Sequence, residues 1–441
     1  VSALAWLAWL TPLAIAALLP ALRPDRLAAR VAALAPLPAL ALALWGAPEV
    51  AVELRWVLFG ARFGLDATGR PFLLMTAVLW LLGGAYAAAS LRDDPARRRF
   101  TGFFLVTQAG GIGVVLAQDI AGFYLGYAVM TFAAYGLVVH AGHPAARRAG
   151  RVYIAMAVAG EAALLVAFLL LAGASGSTRI ATAVAAVAGE PVGGPIAALL
   201  VVGFGVKTGL PLLHLWLPLA HPVAPTPASA MLSAVIVKSG LLGWLRFLPL
   251  GQSSFEWASL LTAAGVAAMF GAAAVGVLQR DAKVVLAYST VSQMGFAAVA
   301  VGAGLAVPAA WPALLAAVVV FALNHGVAKA ALFFGIGVAR AGVLPPGVVR
   351  AGLLLPALAL AGAPLSAGAR VKQLLGDALA AVDAAWAAPV AALLPAAAVA
   401  TTLLMARVLV LARHEHGSGA PLPGLVAPWL AALAAMVGIA L

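Results

Sequence analysis

The sequence predicts an all-α polytopic membrane protein, and three observations carry that prediction. The 441 residues are 65% hydrophobic and 9% charged, whereas roughly a quarter of the residues of a soluble globular protein are charged. Apolar runs of about 20 residues recur from one end to the other, each long enough to cross roughly 30 Å of hydrocarbon as a helix. The basic residues gather in alternate short loops between those runs. Lipid offers no partner to backbone N–H and C=O groups, so a run that crosses it must close its own hydrogen bonds as a helix.

About fourteen spans are expected, centred near residues 11, 38, 79, 109, 131, 162, 207, 237, 267, 295, 326, 367, 400 and 433. The first, VSALAWLAWLTPLAIAALLPALRP, lacks the basic n-region and small-residue cleavage site of a removable signal, and reads as a retained span. After it, AVELRWVLF alternates within residues 48–62 and predicts a short hairpin outside the membrane. Basic loops then mark every second connection: Arg23, Arg26 and Arg30; Arg92 and Arg97–Arg99; Arg147, Arg148 and Arg151; Arg280 and Lys283; Arg340 and Arg350; and Arg413. The opposite loops hold Glu49, Glu53, Asp66, Asp119, Glu190, Glu256 and Asp383. By the positive-inside rule the basic loops face the cytoplasm and both termini lie outside it. The net charge of +12 is then an orientation signal, and no nucleic-acid partner is expected. Asp281 and Lys283 read as an orientation-setting loop pair, and His140 and His143 as interfacial. HEHGSGAPLPG, with His414 and His416, reads as a polar loop before the last span.

The absence of cysteine excludes disulfides, iron–sulfur clusters and thiolate metal sites. No carboxylate and histidine cluster has metal-ligand spacing, and no Rossmann or haem-attachment motif appears. No metal and no cofactor of its own is therefore expected.

Lysine is the informative residue. Of 26 Lys and Arg residues only five are lysine: Lys207, Lys238, Lys283, Lys329 and Lys372. Four lie well within apolar segments, and only Lys283 stands at a span entrance. Arginine stays protonated, whereas a buried lysine can lose its proton. A cation at mid-membrane costs on the order of 3 kcal/mol on insertion scales, so four of them require a use. Snorkelling to an interface suits residues near span ends and fits these four poorly. A phosphate-binding loop is excluded at Lys207, because Val206 precedes it where glycine is required.

Two spans should be broken. After Lys207 come Gly209, Pro211, Pro218, Pro222, Pro225 and Pro227, and proline removes a helical donor while clashing with the preceding turn. A second interruption, LAGAPLSAGARVKQLLG, carries Gly362, Pro364 and Lys372. Paired broken helices point to two inverted five-helix repeats, with Lys207 and Lys372 in equivalent places. The expected division is residues 1–100 for the N-terminal helices and hairpin, 101–250 for the first repeat (spans 4–8), 251–415 for the second (spans 9–13) and 416–441 for the last span. Tyr288, Ser289 and Gln293 could line a hydrated path or hydrogen-bond between helices.

KTGLPLLHLWLPLAHPVAPTPASAMLSAVIVKSG (207–240), DAKVVLAYSTVSQMGF (281–296) and NHGVAKAALFFGIG (324–337) resemble the antiporter-like proton-channel subunits of respiratory complex I. That family also serves energy-converting hydrogenases, formate hydrogenlyases, Mrp-type antiporters and inorganic-carbon uptake complexes. The resemblance runs from GLDATGRPF near residue 64 to the break at Lys372. It implies that Lys207 is the central lysine of the broken seventh span and Lys238 the bridging lysine of the eighth. It further implies that His325 and Lys329 are the polar pair of the eleventh, and Lys372 the basic residue of the twelfth. His214 falls in the family's P-x-H-x-W-L-P pattern. Together these residues imply a relay of water-linked proton sites along the membrane midplane.

Two departures stand out. The fifth-span glutamate that pairs with the seventh-span lysine in the family is here Ala128, and the acid of the LPDA motif is Leu219. Glu161, within the sixth span, is the candidate replacement. The function so implied is proton translocation by a subunit with no chemistry of its own, in a bacterial inner membrane. Its partners would be other membrane and peripheral subunits of an energy-coupling complex. An Mrp-like cation/proton antiporter subunit, the membrane subunit of an inorganic-carbon uptake complex and a structural subunit with a decayed relay remain open alternatives.

Overall fold

The computed structural model describes residues 2–47, 51–54, 60–252, 257–382, 384–413, 415 and 422–440. Glu49, Glu256, Asp383, His414 and His416 lie outside them. The apolar runs close into helices in chain order: α1 (Ser2–Leu18), α2 (Asp25–Leu34), α3 (Leu37–Trp45), α4 (Gly69–Ser90), α5 (Arg97–Leu116), α6 (Ile120–Val138), α7 (Pro144–Ser175) and α8 (Ile180–Val187). Next come α9 (Gly193–Thr208), α10 (Trp216–Val223), α11 (Thr226–Met231), a π-helical turn at Leu232–Ile236, and α12 (Val237–Phe247). The remainder are α13 (Ala258–Val277), α14 (Ala282–Ala306), α15 (Trp311–Ala341), α16 (Pro346–Ala361), α17 (Ala367–Ala380), α18 (Ala387–Ala412) and α19 (Val426–Ala440). Ten stretches among the described residues are long and apolar enough to cross a bilayer. The shorter apolar helices Leu4–Leu18, Gly193–Thr208, Pro346–Ala361 and Pro423–Ile439 join them. The protein is an all-α polytopic membrane protein.

Among the described residues the one sheet is a hairpin: β1 (Ala51–Leu54) pairs antiparallel with β2 (Ala61–Gly64), Ala51 opposite Gly64 and Leu54 opposite Ala61. Asp119 anchors it to the bundle, accepting from Arg62 N–H at 2.6 Å while capping α6 through Gly122 N–H at 2.8 Å. Asp281 caps α14 in the same way, accepting from Lys283 N–H at 2.8 Å and Val284 N–H at 3.1 Å. A side-chain acceptor of this kind satisfies donors that the first helical turn leaves free. At the loop between α4 and α5, His140 Nε2 lies 3.0 Å from Asp94 Oδ2. Partial burial opposes the Asp94 charge, but the His140 contact and the Ala96 N–H bond at 2.7 Å hold its carboxyl below the usual range.

Two helix pairs show why small residues recur. α5 runs along α6, and α13 along α14. A Cβ added at Gly110 would lie 2.7 Å from Gly126 O, and one at Gly265 would lie 2.7 Å from Gly295 O. Only glycine permits backbones that close, and close backbones are how helices associate in a solvent as apolar as their side chains. The stretch Thr226–Phe247 is 94% buried and α14 89%, against 33% for α18. The polar-residue carriers therefore occupy the middle of the bundle, where lipid does not reach them.

Candidate functional site

α9 stops at Thr208 because Gly209, at φ +81°, turns the chain left-handed. Leu212, at φ +69°, holds it there. Pro211 lies within the break, and Pro218 in the first turn of α10, where a missing N–H leaves no bond unmade. Trp216 Nε1 donates to Val206 O at 2.7 Å and pins the two arms together. α16 ends likewise at Gly362, at φ +83°, with Pro364 in the break and Leu365 at φ +66°. The two breaks correspond position by position: Leu210 N–H bonds Gly205 O at 3.0 Å, and Ala363 N–H bonds Leu358 O at 3.0 Å. Leu213 N–H bonds Leu210 O, and Ser366 N–H bonds Ala363 O.

This register corrects one expectation. With Gly209 opposite Gly362 and Leu212 opposite Leu365, Lys207 falls opposite Leu360, and Lys372 opposite Leu219. The two lysines are not equivalent: Lys207 precedes its break and Lys372 follows its own. Lys372 reaches back and donates to Ala361 O at the end of α16. A helix C-terminus carries free carbonyls and partial negative charge, which suits a cation.

Lys207 is buried at the end of α9. Its Nζ donates to Thr131 Oγ1 of α6 at 2.9 Å and stands 5.3 Å and 5.5 Å from the ring centroids of Tyr127 and Tyr153. Tyr153 donates to Thr131 O at 2.9 Å, so the shell braces itself. Glu161 of α7 is buried beside this shell, within Coulombic reach of Lys207 and next to the Thr131 hydroxyl that Lys207 uses, with no hydrogen bond of ordinary length on either carboxylate oxygen. α7 and α9 meet there backbone to backbone, since a Cβ on Gly160 would lie 3.2 Å from Gly203 O. The direct partner of Lys207 is thus a hydroxyl that the sequence reading did not single out. Its signal was spacing: Thr131 stands three residues after Ala128 and shares a helix face with it.

The other basic residues gather on α10, α12, α14 and α15. The π-helical turn before Lys238 frees Ser233 O, which accepts from Lys238 Nζ at 2.8 Å. Lys238 Nζ also touches His325 Nδ1 directly. His325 and Lys329, four residues apart, share one face of α15. Lys329 Nζ donates to Leu286 O at 2.9 Å, and Thr290 Oγ1 donates to the same carbonyl at 3.0 Å. Thr290 Oγ1 in turn lies 2.8 Å from Ser233 Oγ.

Lys283 departs from expectation. Asp281 caps its N–H, but the lysine side chain is buried away from the loop and its Nζ donates to Ala224 O at 2.8 Å, with Ser229 Oγ at 3.4 Å. Asp281 instead faces Arg340, Oδ2 to Nη2 at 3.7 Å, and Arg340 also forks onto Glu415 at 2.5 and 2.7 Å. His221, likewise missed, is fully buried against the Phe333 ring at 4.8 Å, with neither ring nitrogen partnered. It lies within Coulombic reach of Lys283 and Lys329. The row therefore runs Lys238, His325, Lys329, His221, Lys283. Among the described residues no carboxylate lies within salt-bridge distance of any of these five side chains, although Asp281 bonds the Lys283 N–H and stands with Glu415 within Coulombic reach of its ammonium. Lys372 and the half-buried His214, whose ring faces Tyr288 at 6.1 Å, stand apart from it. Gln293 is occupied between helices, donating to Thr401 Oγ1 at 2.9 Å. Among the described residues no group of three or more His, Asp or Glu is placed to hold a metal.

Comparison with known proteins shows the family and the fold. An uncharacterised protein of Mycobacterium tuberculosis is 36% identical over 263 residues, 58% of this chain and 40% of its own length. Component B of hydrogenase-4 from Escherichia coli is 29% identical over 284 residues, 62% of this chain and 42% of its own. The chain thus spans about two fifths of the length of these curated relatives. In fold it matches a chain of the membrane-bound sulfane sulfur reductase, an archaeal respiratory membrane complex, with a TM-score of 0.82 at 22% identity, covering 100% of this chain and 94% of that one. Residues 117–343 match the family described as NADH:quinone oxidoreductase/Mrp antiporter, transmembrane, and the chain belongs to that family.

Proposed function

We propose that the chain translocates protons across the membrane as one subunit of a larger energy-coupling complex. The observation that carries this reading is the row from Lys238 through His325, Lys329 and His221 to Lys283, buried and, among the described residues, with no carboxylate in salt-bridge contact with its side chains. Lysine and histidine both hold a proton reversibly, and like charges so close in a low-dielectric interior repel strongly. A proton arriving at one member therefore favours departure from its neighbour, which is what a relay requires. The unpartnered nitrogens of His221 and His325 and the oxygens of Glu161 are places where water would bridge successive members.

In this reading Lys207 is the exchanger, held by Thr131 and biased by Glu161, and Lys238 receives from it. Lys372 and His214 serve the two breaks. Residues 101–250 and 251–415 form the repeats, and the basic loops face the cytoplasm. The family description and the hydrogenase relative support a redox-driven partner. An Mrp-like antiporter uses the same relay for cation exchange, and dependence of proton flux on sodium separates the two.

The test is proton flux in vesicles carrying the whole complex. Lys238→Gln, which keeps length and polarity but cannot take up a proton, should cut flux at least tenfold while leaving assembly intact. Wild-type flux in both Lys238→Gln and Lys207→Ala would overturn the relay.

A further inference from the structure

Far from the lysine row, a cavity of about 810 Å³ opens between α2, α4 and the Leu422–Gly424 turn that leads into α19. Its mouth carries Arg26, Arg30, Arg92 and Asp93, and its walls include Ala85 and Ala89. Arg92 is already neutralised, with Nε 3.0 Å from Asp93 Oδ2. Arg26 and Arg30, four residues apart, project from one face of α2. Among the described residues neither has a carboxylate within salt-bridge distance: Asp25, the acid nearest in sequence, is taken by Arg98. Two of the walls are closely packed, α2 riding against α4 so that a Cβ on Gly84 would lie 2.8 Å from Ala33 Cα. The mouth shares its face of the bundle with Arg97–Arg99, where the charge asymmetry places the cytoplasmic surface.

An apolar chamber with two unneutralised guanidiniums at its rim is the complement of a phosphate carried on hydrocarbon. Guanidinium forks match phosphate oxygens in geometry and charge, and basic pockets at the cytoplasmic ends of membrane helices take anionic headgroups. We propose that this cavity binds an anionic glycerophospholipid of the inner leaflet, its phosphate on Arg26 and Arg30 and its acyl chains along the alanine face of α4. Zwitterionic lipid fits less well, because its ammonium returns positive charge to the rim.

The test compares lipid retained by the purified protein from nanodiscs of phosphatidylglycerol or of phosphatidylcholine, read by native mass spectrometry. Wild type should retain phosphatidylglycerol preferentially, and each of Arg26→Gln and Arg30→Gln should weaken that preference about fivefold. Ala85→Trp, which fills the chamber and leaves the arginines in place, should abolish retention without altering the thermal midpoint in phosphatidylcholine. Equal retention of the two lipids by wild type, or undiminished retention in the double arginine variant, would overturn the proposal. Displacement of the lipid by millimolar inorganic phosphate, with binding of that phosphate in Ala85→Trp, would also overturn it in favour of a free-anion site.

Discussion

Lys207 shows how a buried cation can be kept without a carboxylate in contact. Its Nζ finds one hydroxyl and two tyrosine faces, and aromatic faces attract a desolvated cation by about 2 kcal/mol. Thr131→Val should therefore weaken proton flux severalfold while Lys207→Ala abolishes it, both read by dye quenching in vesicles of the assembled complex. Glu161→Gln tests whether the acid in the sixth span does the work that a residue at Ala128 would do. A tenfold or greater loss is expected, and intact flux would make Glu161 structural. Lys207, Lys238 and Lys329 stand out in the sequence because lysine is scarce and these copies lie in apolar segments, whereas His325 comes only with the family resemblance. Lys283 does not stand out, since Arg280 and Asp281 beside it suggest a solvated loop. Only the fold reveals that Asp281 turns outward to Arg340 while Lys283 turns inward to Ala224. His221 was hidden in a proline-rich stretch whose short helix, α10, leaves no periodic signal.

At the scale of elements, the broken helices were legible from glycine and proline, but their register was not. Residue type suggested pairing Lys207 with Lys372, whereas the backbone pairs Gly209 with Gly362 and Leu212 with Leu365. Left-handed leucines are rare because Cβ crowds the carbonyl, so a sequence gives no hint of them. Both glycines are testable. Gly362→Ala forces a Cβ into a left-handed position and to 2.6 Å from Lys372 Nζ. It should cost about 1–2 kcal/mol, seen as a lower thermal midpoint in detergent, and should dislodge Lys372 from Ala361 O. Gly209→Ala should cost at least as much, because Leu217 Cδ1 would lie 2.7 Å from the new carbon. The membrane-spanning runs and the hairpin between residues 48 and 62 were readable from hydropathy and alternation alone, since burial in lipid and pairing of strands each impose a simple period.

For the whole molecule, the charge asymmetry predicts which face is cytoplasmic, and the composition supplies the tool that tests it. With no native cysteine, a single introduced thiol reports its side without background. Ala141→Cys, exposed in the loop after α6, should react with an impermeant maleimide only from the cytoplasm. Thr178→Cys, exposed in the loop after α7, should react only from outside. Labelling with the opposite polarity would invert the orientation that the charge asymmetry predicts. Charge asymmetry made that expectation possible, and nothing in the packing of helices alone could have done so.

The two breaks are alike as bends and unlike in what they carry. In the first, the ammonium rides on the arm before the bend; in the second, on the arm after it. A lysine introduced at Leu360 would therefore not stand in for Lys372, nor one at Leu219 for Lys207. The same joint occurs twice in the chain, with its lysine hung on a different side each time.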